Sequence, residues 1–381
     1  MKLGDICSKI GSGATPRGGK DSYKDSGMAI IRSQNVFDWS FSSSGLAFID
    51  DDQAEALSSV EVKHGDVLLN ITGDSVARAC IVPSKFLPAR VNQHVAIIRA
   101  NDKANNLFLL AWLQANKGIL LKLASSGATR NALTKRMLEN LDVNLPPIDV
   151  QNKVAAFIDS IQAKITLNTK LNGYLEEQCE AVANHEKGLA VELSSLCDLV
   201  KEKADYNEAD FDTYVSTESL LPGKKGRQAP SSLPQTGKVT VYKAGDILVS
   251  NIRPYFKKIW YADRTGTCSG DVLVFRAKQP EQSGYLYSCM RSDAFFDYVM
   301  KGAKGTKMPR GDKKQMLTYK VASNPSGATV DFIESALSQA SSSSKENHRL
   351  AALRDNLLPK LMSGEIDVSK VDLKQLNSHL A

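Results

Sequence analysis

The chain has 381 residues, 42% of them hydrophobic and 24% charged. That is the balance of a folded globular protein, too long for one ordinary core, since cores usually stop growing at about 250–300 residues. Lys and Arg outnumber Asp and Glu by 48 to 42, and the net charge of +6 permits a polyanionic partner without demanding one. No stretch approaches the roughly 20 apolar residues of a membrane helix, and Met1-Lys2-Leu3-Gly4-Asp5 lacks the apolar core of a signal peptide. A cytoplasmic protein without a membrane partner is therefore expected.

In chain order, the first segment carries short β-rich runs such as Asp66-Val67-Leu68-Leu69-Asn70-Ile71, separated by Gly, Pro and Ser turns, with one helix predicted around Leu107–Leu123. After Pro146-Pro147 the pattern becomes that of a long helix. Val154, Ile158, Ile161 and Ile165 form its apolar stripe, and Leu171, Leu175 and Val182 continue it after a slip of phase. From about residue 191 the β-rich pattern returns, as in Gly245-Asp246-Ile247-Leu248-Val249-Ser250, with one helix predicted around Gly284–Met300. A second long helix follows Pro325, striped by Val330, Ile333 and Leu337 and then Leu350, Leu353, Leu357 and Leu361. The serine run Ser341–Ser344 and Pro359 oppose it. The expected fold is α+β: a domain over 1–147, a helix over 148–189, a domain over 190–327, a helix over 328–365, and a tail over 366–381.

The two halves repeat one another at an offset of roughly 180 residues. Leu3, Ile6, Cys7 and Ile10 match Leu193, Leu196, Cys197 and Val200; Ile30–Val36 lies over Tyr214–Leu220; Gly65-Asp66-Val67-Leu68 matches Gly245-Asp246-Ile247-Leu248. His94–Ala100 meets Asp271–Ala277, Phe157-Ile158 meets Phe332-Ile333, and Asn168-x-x-Leu171 meets Asn347-x-x-Leu350. The unbroken order of these matches points to a duplication and pseudo-twofold symmetry. A helix of roughly 35 residues is about 50 Å long, more than a small domain needs, and its apolar stripe must find a partner. The matching helix of the other half is the simplest one, giving an antiparallel coiled coil. Asn168 and Asn347 either face its seam and fix register or point to solvent. Four additional residues between Phe332-Ile333 and Asn347 would be absorbed as a stutter.

Gly11-Ser12-Gly13-Ala14-Thr15-Pro16, Leu145-Pro146-Pro147-Ile148-Asp149-Val150-Gln151 and Arg354-Asp355-Asn356-Leu357-Leu358-Pro359-Lys360-Leu361-Met362-Ser363-Gly364-Glu365-Ile366 resemble the DNA-specificity subunits of type I restriction-modification systems. The likeness spans nearly the whole chain. The second half departs from it by opening without a Gly-x-Thr-Pro turn and by entering its helix through Asn324-Pro325-Ser326-Gly327. The resemblance implies two similar target-recognition domains separated by two long helices. Each domain would read one half of a bipartite site in double-stranded DNA, the helices acting as spacer and docking surface. It also implies partners: two methyltransferase subunits using S-adenosylmethionine, and motor-nuclease subunits using ATP and magnesium. No cofactor is expected in this chain itself.

Bases are read by hydrogen-bonding side chains in the major groove, while Lys and Arg on phosphate add sequence-independent affinity. The candidates are therefore polar residues in loops with basic neighbours. In the first head these are Arg32, Gln34 and Asn35 after a strand, Arg90, Asn92 and Gln93 before one, and Arg130, Asn131, Lys135 and Arg136 after the Gly127 turn. In the second head they are Asn251, Arg253, Tyr255, Lys257 and Lys258, and then Lys304, Lys307, Arg310, Lys313 and Lys314. A solvated charged face is the plainer reading of any such run.

Two other function classes are weaker. A DNA-modifying enzyme would need motifs that are missing: Arg253-Pro254-Tyr255-Phe256 only echoes a methyltransferase tetrad, and Gly13–Asp21 lacks phosphate-loop spacing. The five histidines and six cysteines are scattered singly, so neither a metal site nor a disulfide is expected. A coiled-coil scaffold that never touches DNA would leave the Arg, Asn and Gln loops without a purpose.

Overall fold

The computed structural model describes residues 1–16, 22–125 and 131–366. The chain divides into two compact units, Met1–Thr166 with His348–Ala381, and Leu167–Asn347. Both boundaries fall inside the long helices, so each unit is a head together with half of each helix.

The first head runs β1 (Cys7–Ser12), β2 (Met28–Ile31), β3 (Val36–Phe37), β4 (Ser40–Phe41), β5 (Ala47–Ile49), α1 (Asp51–Ala56), β6 (Glu61–Val62), β7 (Val67–Asn70), β8 (Ala79–Ile81), β9 (Ala89–Val91) and β10 (Val95–Ala100). Helices α2 (Asn106–Ala115), α3 (Lys117–Ser125) and α4 (Lys135–Glu139) follow, then α5 (Ile148–His185). One sheet has the strand order β1-β10-β7-β8 and is antiparallel throughout; a second, β5-β2-β9-β6, pairs β2 and β9 in parallel. Val67 and Leu69 pack with Phe108 and Leu109 on one face of the first sheet, while Leu68 packs with Ile30 and Val91 on the other. A strand covered on both faces reads as an unbroken apolar run, which is why Val67-Leu68-Leu69 shows no alternation.

The second head runs β11 (Ala190–Glu192), α6 (Leu193–Leu196), β12 (Cys197–Leu199), β13 (Lys203–Asp205), β14 (Lys238–Tyr242), β15 (Ile247–Ser250), β16 (Ile259–Tyr261), β17 (Gly266–Cys268) and β18 (Val272–Ala277), followed by α7 (Ser283–Met290), α8 (Asp293–Lys301), α9 (Lys313–Leu317), β19 (Lys320–Ala322) and α10 (Gly327–Ser363). Its main sheet, β12-β18-β15-β16, has the strand order of the first head with every matched segment in its expected place. Ile247 and Val249 face the helices and Leu248 faces the opposite cluster, as in β7.

A buried ion pair marks the same corner of both sheets. Gly65 and Gly245 take the left-handed backbone, with φ of +81° and +87°, that lets the chain turn into β7 and β15. Asp66 then accepts from the Lys63 amide at 2.7 Å and from the Arg99 guanidinium through two bonds of 2.7 Å. Asp246 accepts from the Lys243 amide at 2.8 Å and from Arg276 at 2.8 and 2.6 Å.

The single helix expected over Leu107–Leu123 is two helices, α2 and α3, which meet at 65°. Asn116 ends α2, its carboxamide nitrogen donating to Trp112 O at 2.9 Å. The helix expected over Gly284–Met300 is likewise divided, because the Ser292 hydroxyl caps α8 by accepting from the Phe295 amide at 3.2 Å. No single helix among the described residues is long and apolar enough to cross a membrane.

Both long helices form, with 38 residues in α5 and 37 in α10, and they run antiparallel within each unit. In the second unit Asn168 meets Asn347, Asn172 meets Ser344, and Glu186 meets Ser326, while Cys179 and Ala183 pack with Ile333 and Leu337. In the first unit Val154, Ala155 and Ile158 share a core with Leu358 and Leu361, and Gln162 meets Arg354. The helix passes through Ser341–Ser344 and Pro359 without a break. Ser343 is buried, and Pro359 is exposed near the last turn. Of the two readings of Asn168, the seam is the one observed: it is buried, and its carboxamide donates to Asn347 Oδ1 at 3.0 Å and to Glu346 at 2.6 Å.

Candidate nucleic-acid interface

In the second head the two basic clusters, about fifty residues apart in sequence, are joined by backbone. Ile252 bridges Arg310, the Arg253 amide donates to Pro309 O at 2.7 Å, and the Gly311 amide donates to Asn251 O at 3.2 Å. Lys304 and Arg310 bond to each other through both amides at 2.9 Å, which folds 304–310 into a loop carrying exposed Lys304, Lys307 and Arg310. Beside it Tyr255 and Phe256 are exposed, with ring centroids 4.7 Å apart. Lys313 and Lys314 are exposed at the start of α9.

Not all of this cluster points outward. Asn251 is buried and serves the loop junction. Arg253 and Lys257 both hold left-handed backbone, with φ of +50° and +51°. Lys257 pairs with Asp293 at 3.0 Å, and Lys258 donates to Thr217 O at 2.6 Å. Burial pulls the Lys258 ammonium below its usual pKa range. Arg310 pairs with Asp271 at 3.3 Å, and Lys304 stands 3.8 Å from Asp312.

The first head repeats the junction. Thr72 bridges Ala132, the Gly73 amide donates to Asn131 O at 3.1 Å, and the Leu133 amide donates to Ile71 O at 2.8 Å. Thr72 and Gly73 thus occupy the places of Ile252 and Arg253, and Asn131 that of Pro309. Asn131 is exposed, as are Lys135 and Arg136 on α4, where Lys135 lies 3.5 Å from Glu139. Arg130 lies outside the described residues.

Three of the first head's candidates are corrected by their burial. Arg90 is 6% exposed, donates to Ala54 O at 3.0 Å and stands 3.5 Å from Glu61, so its guanidinium serves the core between β9 and α1. Asn35 is fully buried and ties the 42–45 turn to the Arg32 amide, accepting at 3.1 Å and donating to Ser42 O at 2.9 Å. Asn92 is buried and caps the His94 amide at 3.0 Å. Their loops remain candidates; these side chains hold the loops. Arg32 and Gln34 both donate to Gly45 O, at 2.7 and 3.0 Å, and Arg32 lies over the Tyr23 ring, with Gln34 exposed.

Gln93 is exposed at the edge of a polar group that apolar spacing could not reveal. It bonds Thr15 and lies 3.1 Å from His94 Nε2, and His94 Nδ1 lies 2.6 Å from the Thr72 hydroxyl. The Thr15 end of this group explains the glycine-rich opening: a Cβ on Gly13 would stand 1.6 Å from Val91 O. Arg78, over the ring of exposed Phe37 at 5.3 Å, is a second residue missed in the sequence, for it has no basic neighbours. Among the described residues no group of three His, Cys, Asp or Glu is placed to hold a metal ion.

The arrangement is a matched loop pair at the same corner of two equivalent sheets, with different exposed side chains. Residues 1–177 match the family model of the type I restriction modification DNA specificity domain. A protein of Methanocaldococcus jannaschii named as the type I restriction enzyme MjaX specificity subunit is 23% identical over 199 residues, half of this chain and 44% of that one. The specificity subunit S.HindORF215P of Haemophilus influenzae is 33% identical over 72 residues, 19% of this chain and 18% of that one. The aligned parts span less than half the length of either relative. Among solved structures, the type I S subunit from M. genitalium is 12% identical with a TM-score of 0.48, covering 95% of both chains. The HsdS subunit from Thermoanaerobacter tengcongensis is 15% identical with a TM-score of 0.37, covering 96% of both. The first 177 residues are thus similar to the type I restriction modification DNA specificity domain, and parts of the chain align with two specificity subunits.

Proposed function

We propose that this chain is the non-catalytic DNA-reading subunit of a type I restriction-modification complex, each head reading one half of a bipartite site. The observation that carries the reading is the duplicated loop junction: Thr72–Gly73 against Asn131–Ala132, and Ile252–Arg253 against Pro309–Arg310. One scaffold built twice with different exposed side chains suits two different half-sequences. In the second head Tyr255, Phe256, Lys304, Lys307, Arg310, Lys313 and Lys314 are the exposed groups; in the first they are Gln34, Gln93, Asn131, Lys135 and Arg136. Base contact falls to the Asn, Gln and Arg side chains and phosphate contact to the lysines.

The long helices act as a spacer and as the docking face for two methyltransferase subunits. S-adenosylmethionine, ATP and magnesium belong to the partner subunits, including the motor-nuclease, and the complex works in the cytoplasm. Each turn of helix is worth about 5.4 Å, between one and two base-pair steps.

Binding of the full chain to mixed-sequence duplexes at several salt concentrations tests DNA affinity, which must fall steeply as salt rises. Sequencing the methylated motifs of cells carrying the complex then returns both half-sites and the gap. Deleting Ser341–Ser344 is expected to change the gap and leave both half-sites intact. An unchanged gap counts against the spacer, and absence of salt-dependent binding counts against DNA reading altogether.

A further inference from the structure

In both heads a turn beside the candidate reading loop is held from two sides. In the first head the tip of the β3–β4 hairpin puts Trp39 in left-handed backbone with φ of +62°, its amide donating to Ala79 O at 3.0 Å where the 72–78 loop ends. Asp38 is paired to Lys117, the first residue of α3, and the Trp39 ring is covered by Arg354 of α10, whose Cζ lies 4.7 Å from the ring centroid. Arg354 is buried and anchored to α5 by a 2.6 Å bond to Gln162.

In the second head the corresponding turn puts Lys224 in left-handed backbone with φ of +61°, its amide donating to Lys257 O at 2.9 Å where the 251–257 loop ends. Lys224 Nζ is paired to Asp293, the first residue of α8, at 2.7 Å and to Glu180 of α5 at 3.2 Å. Glu180 is itself anchored by buried Arg291 at 2.7 Å, which also reaches Glu176 at 3.3 Å. Asp293 continues the network to Lys257 at 3.0 Å.

The topology of the two clamps is the same, while the chemistry is not: a guanidinium on an indole in one, a carboxylate on an ammonium in the other. Common geometry with unrelated side chains indicates that the link between long helix and loop end is what has been kept. We infer that Arg354 and Glu180 are positioning residues that fix the conformation of the reading loops from the long helices, and so determine sequence discrimination without touching DNA.

This rests on the DNA-reading proposal above, and the test separates the two. The full chain is incubated with a pool of duplexes of randomised interior, and the bound fraction is sequenced. Glu180→Gln is expected to lose about tenfold discrimination at one half-site, the scale of a charged hydrogen bond, with the other half-site unchanged and retention on mixed DNA kept. Arg354→Met is expected to do the same to the opposite half-site. Lys224→Met should match Glu180→Gln, and Lys224→Arg should restore discrimination. Val321→Ala, a core change in the second unit, controls for lost stability and should leave discrimination intact. Unchanged discrimination in the clamp variants overturns the inference, and so does an equal loss in the Val321 control or at both half-sites. A wild-type chain that selects no motif overturns the DNA-reading proposal, and the inference with it.

Discussion

Removing Asp66 should open the first head and leave the second closed. The carboxylate is 1% exposed and accepts three bonds of 2.7 Å, one from the Lys63 amide and two from Arg99. Asp66→Ala leaves that amide without its acceptor and the Arg99 guanidinium, which keeps only Glu61 O at 3.0 Å, largely unpaired. Losing one partner of a buried charged pair costs about 3 kcal/mol, most of it the penalty of the orphaned groups. Because a chain of two units need not unfold in one step, a single melting curve is the wrong readout. Amide hydrogen exchange reports opening segment by segment, and 3 kcal/mol corresponds to about a hundredfold faster exchange over Val67–Asn70 and Val95–Ala100. Exchange over Ile247–Ser250 and Val272–Ala277 should stay as it was, and Asp246→Ala should produce the mirror image. A change below threefold, or equal acceleration in both sheets, would refute the assignment of these pairs as the independent corner locks of two repeated heads.

Asn168→Leu should lower the stability of the second unit by about 1–2 kcal/mol by leaving Asn347 and Glu346 without their donor, and the double change with Asn347→Leu should recover most of it; exchange in the α5 and α10 segments measures both. Burial holds the Glu176 carboxyl above its usual pKa range despite Arg291 and Tyr287 beside it. The folded chain therefore binds that proton at a higher pH than the unfolded chain, and this group's contribution to stability falls as pH rises from the ordinary Glu value through the raised one. Denaturant unfolding from about pH 4 to 7 should show a flatter profile for Glu176→Gln, and an unaltered slope would contradict the burial. Gly13→Ala should cost about 2 kcal/mol or more, since its Cβ would meet Val91 O at 1.6 Å and the Gly13 amide would lose its 3.1 Å bond to Asn92 O. Faster amide exchange over Cys7–Ser12 and Ala89–Val91 would report it.

The duplication was legible because it rests on apolar positions and on turn residues whose backbone is demanding. Gly65-Asp66 and Gly245-Asp246 stand out in sequence, and the same pairs organise the structure. The long helices were legible from their stripes, even through Ser341–Ser344, because tertiary packing of a stripe outweighs the modest propensity of serine. The divisions at Asn116 and Ser292 were hidden: a cap is one polar side chain, and the apolar spacing around it continues undisturbed. Among the candidate side chains, burial was what the sequence hid. Arg90, Asn35 and Asn92 have the chemistry of base readers, but sequence cannot tell a polar group aimed at solvent from one that satisfies a buried turn. Thr72, His94 and Arg78 were invisible for the converse reason, as each gains its neighbours only by folding.

The contrast between the corner locks and the clamps suggests how two heads of common descent could come to read different sequences. The Asp66–Arg99 and Asp246–Arg276 pairs use identical side chains with bond lengths within 0.1 Å of one another, a constraint expected where a buried charge tolerates only its exact partner. At the clamps, by contrast, a loop end is held by an indole under a guanidinium in one head and by an ammonium between carboxylates in the other. Such a site can change its residues without losing the link. The exposed tips beyond it, Asn131 in one head and Tyr255 in the other, carry no packing duty that forbids substitution beyond the backbone bonds already described. Freedom to vary therefore rises stepwise from sheet corner to clamp to loop tip, which places the variation at the tips proposed for base readout and leaves the scaffold intact.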